Sequence, residues 1–157
     1  MNYTIREINE SEIRVLDDFL YEAIFIPNGV TPPSKDIIKN PELQVYVEDF
    51  GKRAGDYCLV AEVDNKIVGA VWVRIMNDYG HVDDDTPSLA ISLYSEYRNH
   101  GIGTQLMLSI IKLLRNKKYS QISLSVQKEN YAFRMYKEVG FEVVGENEEE
   151  YIMICKL

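Results

Sequence analysis

The hydrophobic residues of this chain follow two kinds of pattern. Apolar and polar residues alternate strictly over 122–127, which is typical of a strand with one buried face. Over 102–115 apolar residues recur at three- and four-residue spacing, which predicts a helix with one apolar face. Two dense apolar runs, at 57–63 and 67–75, are separated by a polar triplet at 64–66, which favours a β-hairpin.

Applied to the whole chain, these patterns predict seven strands and four helical regions. The predicted strands cover 3–8, 57–63, 67–75, 88–94, 122–127, 141–146 and 151–157, and the predicted helices cover 13–24, 34–52, 102–115 and 130–139. Strands joined by short turns are expected to be antiparallel, whereas those at 88–94 and 122–127 are joined by a crossover helix and should be parallel. The predicted fold class is α/β, with a mixed, mostly antiparallel central sheet of about seven strands and helices on both faces.

Size, charge and hydropathy limit the number of domains and the kinds of partner that we expect for this chain. With 157 residues and 46% hydrophobic content, the chain is expected to form a single domain over 1–157. Its formal net charge of -8 argues against nucleic acid as a partner, because that needs clustered lysine and arginine, and mildly favours a cationic substrate. No stretch approaches the roughly 18 apolar residues of a membrane helix, so we expect no membrane partner and a cytoplasmic protein.

The sequence gives little support to metal or thiol chemistry. Cys58 and Cys155 lie far apart in apolar runs, without partners at metal-binding spacing, and are expected to be reduced core residues. The two histidines are equally isolated, so no metal site is predicted. The acidic clusters at 83–85 and 146–150 are typical of solvated loops, and the first is also a candidate for facing a substrate.

The most informative stretch is the turn at 98–104, where two glycines stand between an apolar strand and an amphipathic helix. The first amides of a helix have no intrahelical partner and lie at the positive end of its dipole, so they attract anions. At Gly101 and Gly103 the missing Cβ lets the backbone approach a pyrophosphate and adopt angles that strain other residues. Arg98 adds a cation at the rim. A simple strand-to-helix connection is the alternative, and Leu106 stands where a dinucleotide fingerprint needs its third glycine.

Two blocks of residues occur together at a characteristic separation. The first is 98–103, which reads Arg-x-x-Gly-x-Gly at the start of the long helix. The second, some thirty residues later, consists of Asn130, Ala132, Tyr136 and Gly140-Phe141. Together they resemble the signature of the GNAT superfamily of acetyl-CoA-dependent N-acetyltransferases, and the resemblance covers nearly all of the chain. It implies a fold in which the fourth and fifth strands splay apart and leave a slot for the pantetheine arm.

The resemblance also implies an acetyl-CoA site and a catalytic residue. The residues expected to bind acetyl-CoA are Ile91, Ser92, Leu93, Arg98, Asn99, His100, Gly101, Ile102, Gly103, Thr104 and Asn130. The backbone of 91–93 would bond the pantetheine amides, the amides of 99–104 would take the pyrophosphate, and the Asn130 side chain would bond the cofactor near its thiol end. Tyr136 would stand beside the sulfur as general acid, because a phenol with a pKa of about 10 is protonated at pH 7 and can protonate the departing thiolate.

An acceptor amine must lose a proton, and the sequence leaves its base open. Family members often use a glutamate on the fifth strand, but this chain has serine and glutamine at the polar positions of 123–127. The candidates are Glu62, one of Asp83–Asp85, a water chain, or no dedicated base if the acceptor binds already deprotonated.

These expectations converge on an N-acetyltransferase that passes the acetyl group directly to a primary amine. The alternative is a non-catalytic acyl-CoA-binding sensor or interaction module, which the missing strand glutamate favours. The acceptor is a small-molecule or peptide amine, weakly favoured to be cationic, and its specificity lies in the poorly patterned segments 25–51 and 77–87. A homodimer through the terminal hairpin or an exposed sheet edge is left open.

Overall fold

One seven-stranded sheet forms the centre of the computed structural model, which describes residues 1–157. The strands are β1 (Thr4–Glu7), β2 (Tyr57–Val63), β3 (Lys66–Arg74), β4 (Ser88–Leu93), β5 (Gln121–Gln127), β6 (Phe141–Glu146) and β7 (Glu150–Lys156). The helices are α1 (Val15–Glu22), α2 (Pro41–Gln44), α3 (Ile102–Asn116) and α4 (Ala132–Glu138). The strand order is β1-β2-β3-β4-β5-β7-β6, and every neighbouring pair is antiparallel except β4 and β5. The predicted fold class is confirmed.

The parallel strands β4 and β5 touch at one point and then separate. Their single bridge joins Ser88, the first residue of β4, to Ser123, the third residue of β5. Beyond it, β4 stays paired with β3 as far as Leu93, and β5 stays paired with β7 as far as Gln127. The predicted splay between these strands is therefore present, and it leaves one edge of β4 without a neighbouring strand.

Helices cover both faces of the sheet. On one face α3 and α4 pack over the larger core, and the apolar stripe of α3 is fully buried there; its members are Ile102, Leu106, Met107, Ile110 and Leu114. On the other face α1 and the region around α2 pack over a smaller core that includes Phe19 and Trp72. The crossover from β4 to β5 runs through α3, which explains why these two strands are parallel. No helix in the structure is long and apolar enough to cross a membrane.

The first helix is shorter than the sequence predicts. The apolar stripe predicts a helix over 13–24, but α1 begins at Val15 and ends at Glu22, and a separate single turn at Glu10–Glu12 precedes it. The chain leaves the helix at Ala23. The apolar residues that follow are therefore released from the helix and become available to line a cavity.

The region before β2 also differs from the prediction of a helix over 34–52. It contains only a single-turn helix at Lys35–Lys39 and the four-residue α2. Arg74, at the end of β3, is fully buried and donates to both carboxylate oxygens of Asp56 at 2.9 Å and to two backbone carbonyls of this region. A long-range ion pair therefore fixes the conformation of this segment, which has only weak periodicity of its own.

Candidate functional site

A cavity of about 700 Å³ opens where β4 parts from β5. Four segments form its walls: the segment after α1, the end of β4, the glycine turn, and α4 with the residues that precede it. The lining residues are Tyr21–Ile26, Pro32, Ile91–Leu93, Arg98, Asn99, Gly101, Gly103, Thr104, Asn130–Ala132, Arg134–Tyr136 and Glu138. The cavity thus collects most of the residues that the sequence assigns to cofactor binding and the one assigned to catalysis.

The glycine turn presents unpaired backbone donors to this cavity. Gly101 precedes α3 with φ of 83°, and no side chain caps the helix. The first bond of the helix runs from Gln105 N–H to Gly101 O, so the N–H groups of the three residues between them have no partner in the chain. These donors lie at the positive end of a 15-residue helix. The turn can therefore hold an anion such as a pyrophosphate.

The two glycines of the turn have different reasons to be glycine. Gly101 needs its left-handed backbone, while a Cβ there would meet no atom within 4 Å. Gly103 has helical geometry, and a Cβ would lie 3.4 Å from Leu93 and 3.5 Å from the sulfur of Met135, which are ordinary contacts. The fold therefore accommodates a methyl group at Gly103. What that glycine keeps open is the approach from the cavity.

Arg98 lines the cavity, but its guanidinium is already bound within the protein. Its Nε donates to the Leu93 carbonyl at 3.0 Å, and its Nη2 lies 3.3 Å from the Glu22 carboxylate. The side chain joins the end of β4 to the end of α1 across 76 positions of sequence. The sequence predicts a cation at the rim, and the structure shows a cation whose charge Glu22 already offsets.

The free edge of β4 offers backbone groups to the cavity. Tyr94 N–H donates to Val68 O at 3.0 Å, so the even-numbered residues of β4 face β3 and the odd-numbered ones face the opening. Ile91 therefore presents its N–H and C=O groups toward the cavity, and Leu93 presents its N–H, because the Leu93 carbonyl already accepts from Arg98. Ser92 lies between them and donates its hydroxyl to Phe19 O at 2.6 Å, which ties β4 to α1.

Asn130 and Tyr136 reach the cavity from the α4 side. The Asn130 side-chain oxygen accepts from Ala132 N–H at 2.9 Å, and its amide nitrogen has no partner in the chain. Tyr136 is buried, and burial raises its pKa to about 12. Its hydroxyl has no hydrogen-bond partner in the protein. Every fully buried side-chain polar atom does have such a partner, so this hydroxyl is not fully buried. The hydroxyl is therefore accessible from the cavity, where it can act on a bound molecule and remains protonated at neutral pH.

The segment that holds the glycine turn, the splayed strand pair and the buried tyrosine is similar to known proteins. The model of the acetyltransferase (GNAT) family matches residues 23–141, which is most of the chain and includes all of the cavity walls except the end of α1. The chain belongs to the GNAT family. An N-alpha-acetyltransferase of Saccharolobus solfataricus is 30% identical over 118 residues, which are 65% of this chain and 70% of that protein.

Further similarity is found to longer proteins and to solved structures. A probable N-acetyltransferase camello of Xenopus tropicalis is 32% identical over 84 residues, and the match spans 37% of that protein's length. The structure of the PaiA N-acetyltransferase of Thermoplasma acidophilum in complex with coenzyme A has a TM-score of 0.74 at 19% identity, with all of both chains covered. The ribosomal-protein-S18-alanine N-acetyltransferase of Escherichia coli has a TM-score of 0.70 at 16% identity, covering 99% of this chain and 94% of the other. These structures share the fold of this GNAT domain.

Some predicted residues of this GNAT domain do not line the cavity with their side chains. Ile102 is fully buried in the core and His100 is exposed on the turn, so any role of these two in binding rests on their backbone. Phe25 and Ile26, which begin the segment 25–51 that the sequence assigns to acceptor specificity, do line the cavity. Tyr46 does not, and instead donates its hydroxyl to Asp78 at 2.8 Å.

The carboxylates considered as bases from the sequence also lie outside the cavity lining of this GNAT domain. Glu62 is bound to Arg6 at 2.9 Å on strands near the far edge of the sheet. Asp83 accepts hydrogen bonds from Thr86 and Asp85 within its own loop. No group of three or more His, Cys, Asp or Glu residues is placed to hold a metal ion.

Sequence reasoning missed a second set of polar residues, on the sheet face covered by α1 and α2. Ser88 donates to Asp78 at 2.8 Å beside the bridge between β4 and β5. Further along the splay, Gln127 Nε2 donates to Glu150 at 3.1 Å. Burial, then the charges of Glu149 and Asp78, raise the pKa of Glu150. Glu150 belongs to the acidic run 146–150, which in sequence is typical of a solvated loop. Its pairing opposite Gln127 distinguishes it from the rest of that run.

Proposed function

We propose that the protein is an N-acetyltransferase that transfers the acetyl group of acetyl-CoA to a primary amine. One observation carries the proposal: the unpaired N–H groups at the start of α3, the free edge of β4 and the accessible hydroxyl of Tyr136 all border one cavity. Membership of the GNAT family supports the same reading.

The residues present fit coenzyme A along its length. The N–H groups of 102–104 bind the diphosphate, because they are unpaired and lie at a helix N-terminus. The N–H and C=O groups of Ile91 and the N–H of Leu93 bond the pantetheine amides in the manner of an added strand, while the Leu93 carbonyl stays bound to Arg98. The free amide nitrogen of Asn130 donates to a carbonyl near the thiol end. When bound, acetyl-CoA supplies an activated acyl group.

Tyr136 protonates the leaving group. Attack of the neutral amine on the thioester carbonyl carbon forms a C–N bond and breaks the C–S bond, and the departing thiolate takes the phenolic proton. Burial raises the pKa of Tyr136 to about 12, and the same loss of hydration favours the neutral form of a thiol formed beside it. The nitrogen, which is positively charged after the attack, releases one proton to a base or to solvent. The phenol regains one proton from solvent, so the overall step takes up no net proton.

The amine acceptor approaches from the sheet face covered by α1, where the apolar segment 23–26 forms a cavity wall. At a lysine-like pKa of about 10.4, only about one amine in a few thousand is neutral at pH 7, a handicap of roughly 4 to 5 kcal/mol. We therefore infer a need for a proton acceptor on that face. Glu150 lies on that face beside Gln127, outside the cavity lining, and its raised pKa suits the role. The net charge of -8 favours a cationic acceptor, either a small molecule or a peptide amine.

The experiment that tests the proposal is thiol release from acetyl-CoA in the presence of a panel of amines. The panel contains polyamines, aminoglycosides, amino acids and peptides with free N-termini. If the protein is an N-acetyltransferase, the rate of coenzyme A release should increase with the concentration of one class of amine. A chain that binds acetyl-CoA but shows no amine-dependent release with any class is an acyl-CoA sensor, and the proposal is then wrong.

A further inference from the structure

The proposed function assigns no role to Tyr131 and Arg134, two residues that line the cavity. Tyr131 precedes α4 and is 71% exposed, which is the highest exposure of any large hydrophobic side chain in the protein. Arg134 lies one turn later, is exposed, and makes no hydrogen bond or ion pair through its side chain. Both line the cavity. Neither contributes to the core, so packing does not explain them.

Charge makes Arg134 distinctive within the cavity. Arg98 and Arg134 are the two basic residues that line it, and the chain as a whole carries a net charge of -8. The charge of Arg98 is offset by Glu22 at 3.3 Å. Glu138 is the remaining acidic residue of the lining, and it lies beyond ion-pair distance of Arg134. Arg134 is therefore the cation available to an anionic group of a bound molecule.

Arg134 is next in sequence to Met135, a residue that packs against the glycine turn. α4 packs against the start of α3, since a Cβ on Gly103 would lie 3.5 Å from the sulfur of Met135. Arg134 adjoins Met135, and Tyr131 lies three positions before Arg134, so the two share one side of the helix. Both line the same cavity as Gly101, Gly103 and Thr104 of the glycine turn.

We propose that Arg134 binds the 3′-phosphate of coenzyme A and that Tyr131 stacks on its adenine. The inference rests on the proposed function and adds a source of specificity to it. A guanidinium matches the oxygens of a phosphate in a two-pronged bond, and an exposed aromatic ring offers its face to a nucleobase. The backbone donors of the glycine turn bind the diphosphate, so they do not distinguish coenzyme A from a form that lacks the 3′-phosphate. Preference for coenzyme A over its dephosphorylated form therefore resides in Arg134.

The test is titration calorimetry with coenzyme A, dephospho-coenzyme A and 4′-phosphopantetheine. The wild-type protein should bind coenzyme A about tenfold more tightly than dephospho-coenzyme A, as expected for one charged hydrogen-bonded contact at an exposed site. In Arg134→Gln that preference should disappear, with the affinity for dephospho-coenzyme A unchanged. Tyr131→Leu should weaken both nucleotides and leave 4′-phosphopantetheine unaffected.

The matched control is Lys137→Gln. Lys137 is an exposed cation of the same helix that lies over the Phe133 ring and does not line the cavity. Its replacement changes the net charge equally and should keep the full preference. Equal binding of coenzyme A and dephospho-coenzyme A by the wild type, or an unchanged preference in Arg134→Gln, overturns the inference alone. A wild-type protein that binds none of the three ligands overturns the proposed function, and the inference with it.

Discussion

Replacing Tyr136 by phenylalanine removes the proposed proton donor and little else. The ring is 8% exposed and packs near Phe141, and phenylalanine keeps that packing. The hydroxyl makes no hydrogen bond inside the protein, so no partner is left unsatisfied by its removal. We therefore expect the free energy of unfolding to change by less than about 0.5 kcal/mol. The affinity for coenzyme A should change by less than about twofold.

Turnover should respond far more strongly. Loss of a positioned general acid costs roughly 10²- to 10⁴-fold, which corresponds to about 3 to 5 kcal/mol in the activation barrier. Because burial raises the pKa of Tyr136 to about 12, the phenol stays protonated through the assay range. The wild-type protein should accordingly show no alkaline decline caused by this group at pH values well below 12.

The assay is steady-state release of coenzyme A with an amine that the panel has identified, together with calorimetry of coenzyme A binding. Tyr57→Phe serves as the control, because Tyr57 lies on β2 and does not line the cavity. The expected result is a low kcat, normal binding and normal stability in Tyr136→Phe, and normal kcat and binding in the control. A kcat within about threefold of wild type in a folded Tyr136→Phe variant would refute the assignment of the acid.

Three further predictions concern the phosphate turn, the fold and the proton acceptor. Gly103→Ala should fold at least as stably as wild type, because a Cβ fits and alanine favours a helix by about 0.5–1 kcal/mol, yet it should bind coenzyme A more weakly by calorimetry. Asp56→Ala should lower the free energy of unfolding by about 3–5 kcal/mol in urea titrations, since it leaves Arg74 buried and unpaired. Glu150→Gln should lose the rise of kcat/KM with pH that deprotonation of this carboxylate causes in wild type, whereas Glu149→Gln should retain that rise at lower pH, because the charge of Glu149 helps to raise the pKa of Glu150.

Each of these three has an outcome that contradicts it. Unchanged coenzyme A affinity in Gly103→Ala would mean that the diphosphate does not approach this residue. A loss below about 1 kcal/mol in Asp56→Ala would mean that the buried ion pair doesn't organise the region before β2. Because the pKa of Glu150 is raised, its basic form is lost first as pH falls, so an identical pH profile in Glu150→Gln would remove it as proton acceptor.

The parts of the fold that the sequence predicts well are those whose signal is local. The alternation at 122–127 and the apolar stripe of α3 reflect neighbours a few positions apart, and both elements form close to their predicted bounds. The parallel pairing of β4 and β5 follows from the crossover helix between them. The glycine turn is likewise a local feature, because a left-handed residue and a helix start are both set within 98–104.

The remaining features depend on contacts between distant positions. The ion pair of Arg74 with Asp56 decides the shape of the region around α2, and no periodicity within that region reports it. Arg98 reads as a free cation in the sequence because Glu22 lies 76 positions away. Glu150 reads as one more residue of a solvated acidic run, since only its pairing with β5 places it against Gln127.

A crystal structure of the protein with coenzyme A tests the central claim most directly. The account predicts that diphosphate oxygens accept hydrogen bonds from the N–H groups of Gly103 and Thr104, with the pantetheine arm along the free edge of β4. A structure in which coenzyme A binds elsewhere, or in which these N–H groups do not contact the diphosphate, would contradict it.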